Sequence, residues 1–295
     1  MYNSHLTAFV HVADCGSFSK AAEKLFISAT AVMKQINALE AHLGLKLLVR
    51  TNQGIQLTSA GDSIYKDAKF RVEDSAQAIS RARQRMASSE TTFCVGTSML
   101  NPCKAFMDLW YQVNDDFPGY KLHIVPFEDD HDGILAVISA LGERYDFLVG
   151  VCDSALWRER CNFVKLGEYK RCFAVPVTHR LASKQKISLD DLHGETLMMV
   201  GRGDSPINDR EREDIERNYP QIRIVDTPYF YDIGVFNRAV QTGSILSSIE
   251  YWKDIHPALV TIPMEWEHTI PYGLLYPLNP DADILRIVEA ITAVH

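Results

Sequence analysis

Residues 6–61 read LTAFVHVADCGSFSKAAEKLFISATAVMKQINALEAHLGLKLLVRTNQGIQLTSAG, and the spacing of their apolar residues decides the fold of the N-terminal part. Leu6, Phe9, Val10 and Ala13 recur at helical spacing and Gly16 follows as a stop, which predicts a first helix over roughly 4–15. Ser19 is placed to cap a second, short helix running through Lys24, whose Ala21, Ala22 and Leu25 are small or apolar enough for close packing. Phe26 and Ile27 make a tight turn, and Ser28 caps a third helix. There Val32, Ile36, Leu39 and Leu43 share one face, with Gly44 as the left-handed stop. The opposite face presents Thr30, Lys34, Asn37 and Ala41, with Ala29 and Met33 beside them and no carboxylate.

After Gly44 two short runs rich in branched apolar residues flank the turn signal Thr51-Asn52-Gln53-Gly54, which predicts a hairpin wing with Arg50 at its shoulder. Three short helices and a wing make a winged helix-turn-helix. Small and hydrogen-bonding side chains without a carboxylate suit a DNA major groove, where bases are read by such groups. Thr30, Lys34 and Asn37 are the candidate base readers, with Met33 next to them. Ser28, Gln35 and Arg50 sit at the helix start, its flank and the wing, where contacts go to the backbone.

Charge follows the same division. Residues 1–89 hold eleven Lys and Arg against seven Asp and Glu, a net +4, while the chain as a whole carries -8. A small basic part can seat on phosphates while the acidic remainder limits non-specific coating. Among 295 residues 46% are hydrophobic and 23% charged, which excludes disordered and fibrous classes and sets a prior of about two domains. No apolar run approaches the roughly 18 residues of a membrane span and the N-terminus lacks a signal-peptide pattern, so the expectation is a cytoplasmic protein without membrane contact. Six cysteines are scattered without a CxxC pair or zinc spacing, and the acidic run Glu128 to Asp132 reads as a solvated loop before a helix. Neither a metal nor another cofactor is expected.

The quoted stretch resembles the DNA-binding domain of LysR-type transcriptional regulators, element by element and without a gap. Phe9 and Val12, Gly16-Ser17-Phe18, Ala21-Ala22, Ser28, Gln35-Ile36, Leu39-Glu40, Leu43-Gly44, Leu47, Arg50-Thr51, Leu57-Thr58 and Ala60-Gly61 carry the likeness. Two places depart from it: Ala29-Thr30 stands where the family has Gln-Pro, and Met33-Lys34 where it has Ser-Arg. Ala29 lacks the amide with which glutamine makes a bidentate contact to adenine. Residues 59–90 follow as a linker helix and hinge, with Thr58 as N-cap. Tyr65, Ala68, Val72, Ser75, Ile79, Ala82 and Met86 alternate spacings of three and four, a seam on which two copies can pair, and Ala87-Ser88-Ser89-Glu90 reads as the hinge. The resemblance implies a dimer through this helix, and a tetramer through paired effector domains.

Residues 91–295 alternate strand and helix patterns. Strands are expected near 92–97, 121–125, 146–151, 171–177, 196–200, 222–225, 244–249 and 271–276. Asn101-Pro102 is read as cap and first turn of one helix, and further helices are expected over 131–141, 207–218, 232–242 and 284–294. The resemblance implies a two-lobed α/β effector-binding domain like the periplasmic binding proteins, lobe I at about 91–162 and 266–295, lobe II at about 163–265. Ligands of such sheets bind beyond the carboxyl ends of strands and at helix N-termini. That rule selects Ser98, Asn101, Gly201, Ser205, Thr227 and Ser247 as effector-binding candidates, and Ser98 matches the family position whose hydroxyl meets the effector. The expected effector is a small polar metabolite bearing a carboxylate, although Asp204 and Asp232 nearby need Arg202 or Arg238 to offset them.

Two rival readings have distinct signatures. An enzyme or solute-binding protein could use the same cleft, yet there is no GxSxG, HExxH or Walker A motif, and the carboxylate-free helix face would have no purpose. A thiol-redox-sensing regulator would need reactive sulfur at Cys103, Cys152, Cys161 or Cys172, none of which has a nearby partner in sequence.

Overall fold

A computed structural model of the chain describes residues 3–52, 54–87, 91–129, 133–265 and 268–295, the side chains at 74, 77, 78 and 80–87 excepted. It divides into two compact units, Met1–Ser89 and Glu90–His295.

In the first unit α1 (Ser4–Cys15) is capped by Asn3, whose side chain accepts from the His5 and Leu6 amides, and stops at Gly16 with φ 61°. Ser17 caps α2 (Phe18–Leu25), and Ser28 caps α3 (Ala29–Leu43), which ends at Gly44 with φ 66°. The capping residue of α2 is thus Ser17 and not Ser19, because helical geometry already begins at Phe18 and the Ser17 hydroxyl reaches the Lys20 amide. The wing strands β1 (Leu48–Thr51) and β2 (Gly54–Leu57) pair antiparallel, Leu48 opposite Leu57 and Thr51 opposite Gly54. Phe9, Val12, Ala21, Val32, Ile36 and Leu47 form the buried centre. Leu43, expected on the inner face of α3, is exposed, and Glu40 is the polar group that turns inward.

Helix α4 (Ser59–Ala87) starts where the Thr58 hydroxyl accepts the Gly61 amide. Its expected pairing seam is spent in part within the unit. Ala68 is buried in the same core, with Tyr65 and Val72 packed against it, and the Tyr65 hydroxyl donates to the Asp14 carboxylate. The reason is steric: small Ala68 lets α4 lie close on α1. Ser75 and Ile79 continue the stripe beyond that contact, half-buried, whereas the side chains of Ala82 and Met86 and the hinge residues 88–90 lie outside the described residues.

In the second unit the strands are β3 (Thr91–Thr97), β4 (Tyr120–Pro126), β5 (Leu148–Val151), β6 (Cys161–Pro176), β7 (Thr196–Val200), β8 (Arg223–Thr227), β9 (Ile245–Ile249), β10 (Leu259–Pro263) and β11 (Thr269–Pro277). The helices are α5 (Lys104–Val113), α6 (Gly133–Ser139), α7 (Ala155–Arg158), α8 (Pro206–Asn218), α9 (Ile233–Thr242) and α10 (Ala282–Val294). Parallel β3 and β4 adjoin β5 through a bridge from Val95 to Phe147. The larger sheet runs β5-β11-β6-β9-β7-β8, with β10 also on β6.

Two strands are common to both lobes. The first half of β6 and the second half of β11 pack into the lobe I core, where Leu166 and Leu274 meet Phe93, Phe106, Phe147 and Ile287. The second half of β6 enters the lobe II core, where Phe173 and Val175 meet Leu197, Ile215 and Ile245. The crossing therefore falls near Glu168 to Lys170, not at 163, since residues 161–167 side with lobe I; residue 266 of the expected boundary lies outside the described residues. Sequence expectation also placed a helix start at Asn101-Pro102. Helix α5 begins instead at Lys104 without a side-chain cap, because the preceding turn is tied to Asp129 and Thr97.

Candidate functional site

The exposed face of α3 carries Thr30, Lys34 and Asn37, as the spacing requires, with Met33 and Gln35 half-buried at its edges. Ser28 Oγ accepts the Ala31 amide at 3.1 Å and is used in capping. Arg50 reaches from the wing toward α3: its Nη2 lies 3.5 Å from Met33 Sδ, and its guanidinium stands 5.6 Å above the Phe18 ring. Soft contacts of this kind orient a guanidinium without neutralising it. The single carboxylate of α3, Glu40, faces the wing and receives the Leu47 and Leu48 amides at 2.9 and 3.2 Å. The outward surface consequently keeps Lys34 and Arg50 as charges with no acid of the helix beside them. It can accept polyanionic backbone and read base edges with short polar side chains.

The second unit holds a cavity of about 100 Å³ between its two lobes. Of the six sequence candidates, Asn101, Ser205 and Ser247 line it. Ser98, Gly201 and Thr227 do not. Ser98 donates to Asp129 Oδ1 at 2.6 Å and accepts the Asn101 amide at 3.0 Å, so its hydroxyl holds a turn. Thr227 is buried and donates to the Pro228 carbonyl, and the Gly201 amide goes to the Thr227 carbonyl. Carboxylate-to-amide pairs tie the lobes across the cavity. Asp153, beyond β5, accepts the Ser205 hydroxyl and the Ile207 amide (2.8 Å) at the start of α8. In return Asp204 accepts the Leu156 amide (2.9 Å), and its carbonyl the Ala155 amide, at the start of α7. The N-terminus of α8, expected to receive an effector carboxylate, is thus already filled by one of the chain's own.

Sequence reasoning missed the remaining walls. Trp157 stacks on Phe230 at 5.6 Å between centroids, and Tyr231 lies 5.3 Å from Trp252. Arg171, buried in the floor, gives Nε to Glu211 Oε2 at 2.9 Å and Nη2 to both Glu211 and Asn208. Asp153 could have been found, since Cys152-Asp153-Ser154 follows the end of a strand as the rule of carboxyl ends demands. The aromatic residues carry no such local signal. Burial raises the Tyr231 hydroxyl well above the usual phenol range, and that hydroxyl donates to the Ser247 carbonyl. Burial likewise pushes the thiols of Cys152 up to about 12 and of Cys161 and Cys172 up to about 11, and neighbouring Cys161 adds to the rise for Cys152 as Glu250 does for Cys172. Thiols so placed hold their protons and make poor nucleophiles.

Among the described residues no helix is long and apolar enough to cross a membrane. Residues 4–62 match the model of the bacterial regulatory helix-turn-helix proteins of the lysR family. The regulator AlsR of Bacillus subtilis (strain 168) is 24% identical over 203 residues, covering 67% of this chain and 64% of its own length. ClcR of Pseudomonas putida is 41% identical over 83 residues, 28% of either chain. The crystal structure of full-length CbnR complexed with target DNA shares the fold, with a TM-score of 0.59, 19% identity and 100% of both chains covered. Winged unit, long helix and two-lobed α/β unit occur here in one chain, and its first unit carries the helix-turn-helix domain of the lysR family of bacterial regulatory proteins.

Proposed function

We propose that the protein is a sequence-specific transcriptional regulator that binds operator DNA through α3 and the wing and responds to a small molecule held between the lobes. The observation that carries this reading is the α3 surface: Thr30, Lys34 and Asn37 exposed, Arg50 poised beside Met33, and the helix's carboxylate turned inward. Two copies pair through the part of α4 beyond Val72, and paired effector units assemble tetramers, as befits operators built of two half-sites. Occupancy of the cavity shifts the balance between lobe arrangements and thereby the spacing of the DNA-binding units.

Neither rival gains support from a specific feature. Asp153 and Asp204, the carboxylates an enzyme would use, are engaged as partners of helix N-termini, and the buried thiols have raised pKa values. Recovery of bound fragments from genomic DNA, followed by titration of the recovered operator, tests the reading. Lys34→Ala should alter base preference at one position by about 1–3 kcal/mol. Arg50→Ala should weaken all sites alike and reduce the salt slope by about one. Unchanged operator affinity in both variants would refute the assignment of this face.

A further inference from the structure

Taking the cavity as the effector site, we infer that its ligand is a small organic cation, a protonated amine on a flat apolar body, and not the carboxylate expected from helix N-termini. The features of the cavity that would draw an anion are already engaged. The Arg171 guanidinium is neutralised by buried Glu211 behind it. At α8, Asp153 holds the Ile207 amide and Ser205 Oγ holds the Asn208 amide at 3.2 Å. What remains in the lining is two buried carboxylates, Asp153 and Asp204, each 5% exposed and neither in an ion pair among the described residues. With Arg171 and Glu211 cancelling, the lining carries an excess of two negative charges, those of Asp153 and Asp204. An entering carboxylate meets repulsion there, and an ammonium meets attraction.

The walls agree with the charge. Trp157, Phe230, Tyr231 and Trp252 surround the space with ring faces, and a cation over such faces is attracted by their quadrupoles, most strongly when it is stripped of water. A volume of about 100 Å³ is of the order of apolar cavities, ~150 Å³, that take up one benzene ring. Among the described residues, two groups in the lining are unpartnered and more than nine-tenths buried: Ser247 Oγ and Trp157 Nε1. Buried polar groups are normally hydrogen-bonded, so this pair marks where ligand atoms go. The hydroxyl can accept from an ammonium. The indole N–H calls for one uncharged acceptor on the same ligand or a water bound with it.

Three probes that share a phenyl body test the charge assignment: 2-phenylethylamine, 2-phenylethanol and 3-phenylpropanoate, titrated calorimetrically into the full-length chain. The amine should bind roughly tenfold or more tighter than the alcohol, and the carboxylate weakest. Asp153→Asn and Asp204→Asn, which keep an acceptor for the helix amides, should each weaken the amine by roughly tenfold while moving the alcohol by less than about threefold. The inference is overturned if the carboxylate binds as tightly as the amine, if the amine does not bind, or if both Asn variants leave the amine's affinity unchanged. The cavity reading is separated by Trp157→Ala and the milder Trp157→Phe, which keeps the stack on Phe230 and removes Nε1. Alcohol or carboxylate binding that these variants abolish leaves the cavity as the effector site with its charge preference misassigned. Binding that survives both unchanged places the ligand elsewhere and removes the reading on which the inference rests.

Discussion

Glu40 joins α3 to the wing. It is 6% exposed, and its oxygens receive Lys46 Nζ at 2.6 Å and the amides of Leu47 and Leu48, so one carboxylate fixes the wing to α3. Burial pushes its pKa up, but the hydrogen bonds from Lys46, Leu47 and Leu48 together outweigh burial and hold it below the usual value. A lowered folded pKa gives stability that is present above the unfolded value, about 4.3, and is lost as pH falls through the folded one. The first unit of the wild type should therefore lose melting temperature below about pH 4.5 more steeply than Glu40→Gln, whose amide cannot titrate; parallel curves for the two would exclude the effect. At pH 7 Glu40→Ala should cost about 1–3 kcal/mol, since the buried Leu47 amide loses its acceptor. Thiol chemistry gives a second residue-level expectation. Cys15 is half-buried and the other five cysteines are buried, so a thiol reagent at pH 8 should label Cys15 rapidly and the rest only on unfolding. Fast labelling of Cys152 or Cys161 would reopen the redox reading. Single residues were legible in sequence where their role is local: Ser28, Gly16 and Gly44 sit at helix ends that the pattern alone marks. The turn that the Ser98 hydroxyl holds was not legible because its partner, Asp129, lies 31 positions away, and no local signal tells a capping hydroxyl from a ligand-binding one.

Elements were legible to the extent that one periodicity governs them. The helices of the first unit and its hairpin announce themselves through apolar spacing and turn residues. Strand β6 does not, because its burial is irregular over 161–170 and complete over 171–176 as it passes from one lobe to the other. Only its second half reads as a strand. Helix α4 shows the converse difficulty, since a three-four stripe looks the same whether it meets a second copy or its own domain. Gly61 records the close approach: a Cβ there would stand 2.0 Å from the Leu47 carbonyl oxygen. The two parts of the stripe should behave differently under mutation. Val72→Asp puts a charge against the first unit's own core and should lower that unit's melting temperature. Ile79→Asp lies beyond that core and should split the dimer, seen by light scattering, while leaving the unit's melting intact. An unaltered dimer mass for Ile79→Asp would mean that pairing uses another surface.

At the scale of the whole second unit, two continuous strands and a set of polar contacts set how the lobes meet. Strands β6 and β11 pair from Cys161 opposite Pro277 to Lys170 opposite Thr269, with a register shift at Tyr272 and Gly273 beside the crossing. A Cβ on Gly273 would lie 2.2 Å from the Val164 carbonyl oxygen, so the bend depends on a bare backbone at that point. The alternation of strand and helix was legible along the chain, and the two-lobed order was what the family resemblance implied. The cross-lobe contacts were not, since Asp153 and Ser205 are 52 positions apart and meet only when both lobes are folded. These contacts are separable from folding, because each lobe has its own core and the crossing strands stay paired without them. Asp153→Ala strips the acceptor from the Ser205 hydroxyl and the Ile207 amide and should cost about 1–3 kcal/mol. The loss should be local. Amide hydrogen exchange should accelerate in the first turn of α8 and at Ala155 and Leu156, which face it across the cavity, while the amides of β7 and β9 keep their protection. If exchange in α8 is unchanged in the variant, the lobes are held by β6 and β11 alone, and the carboxylate contacts do not govern their closure.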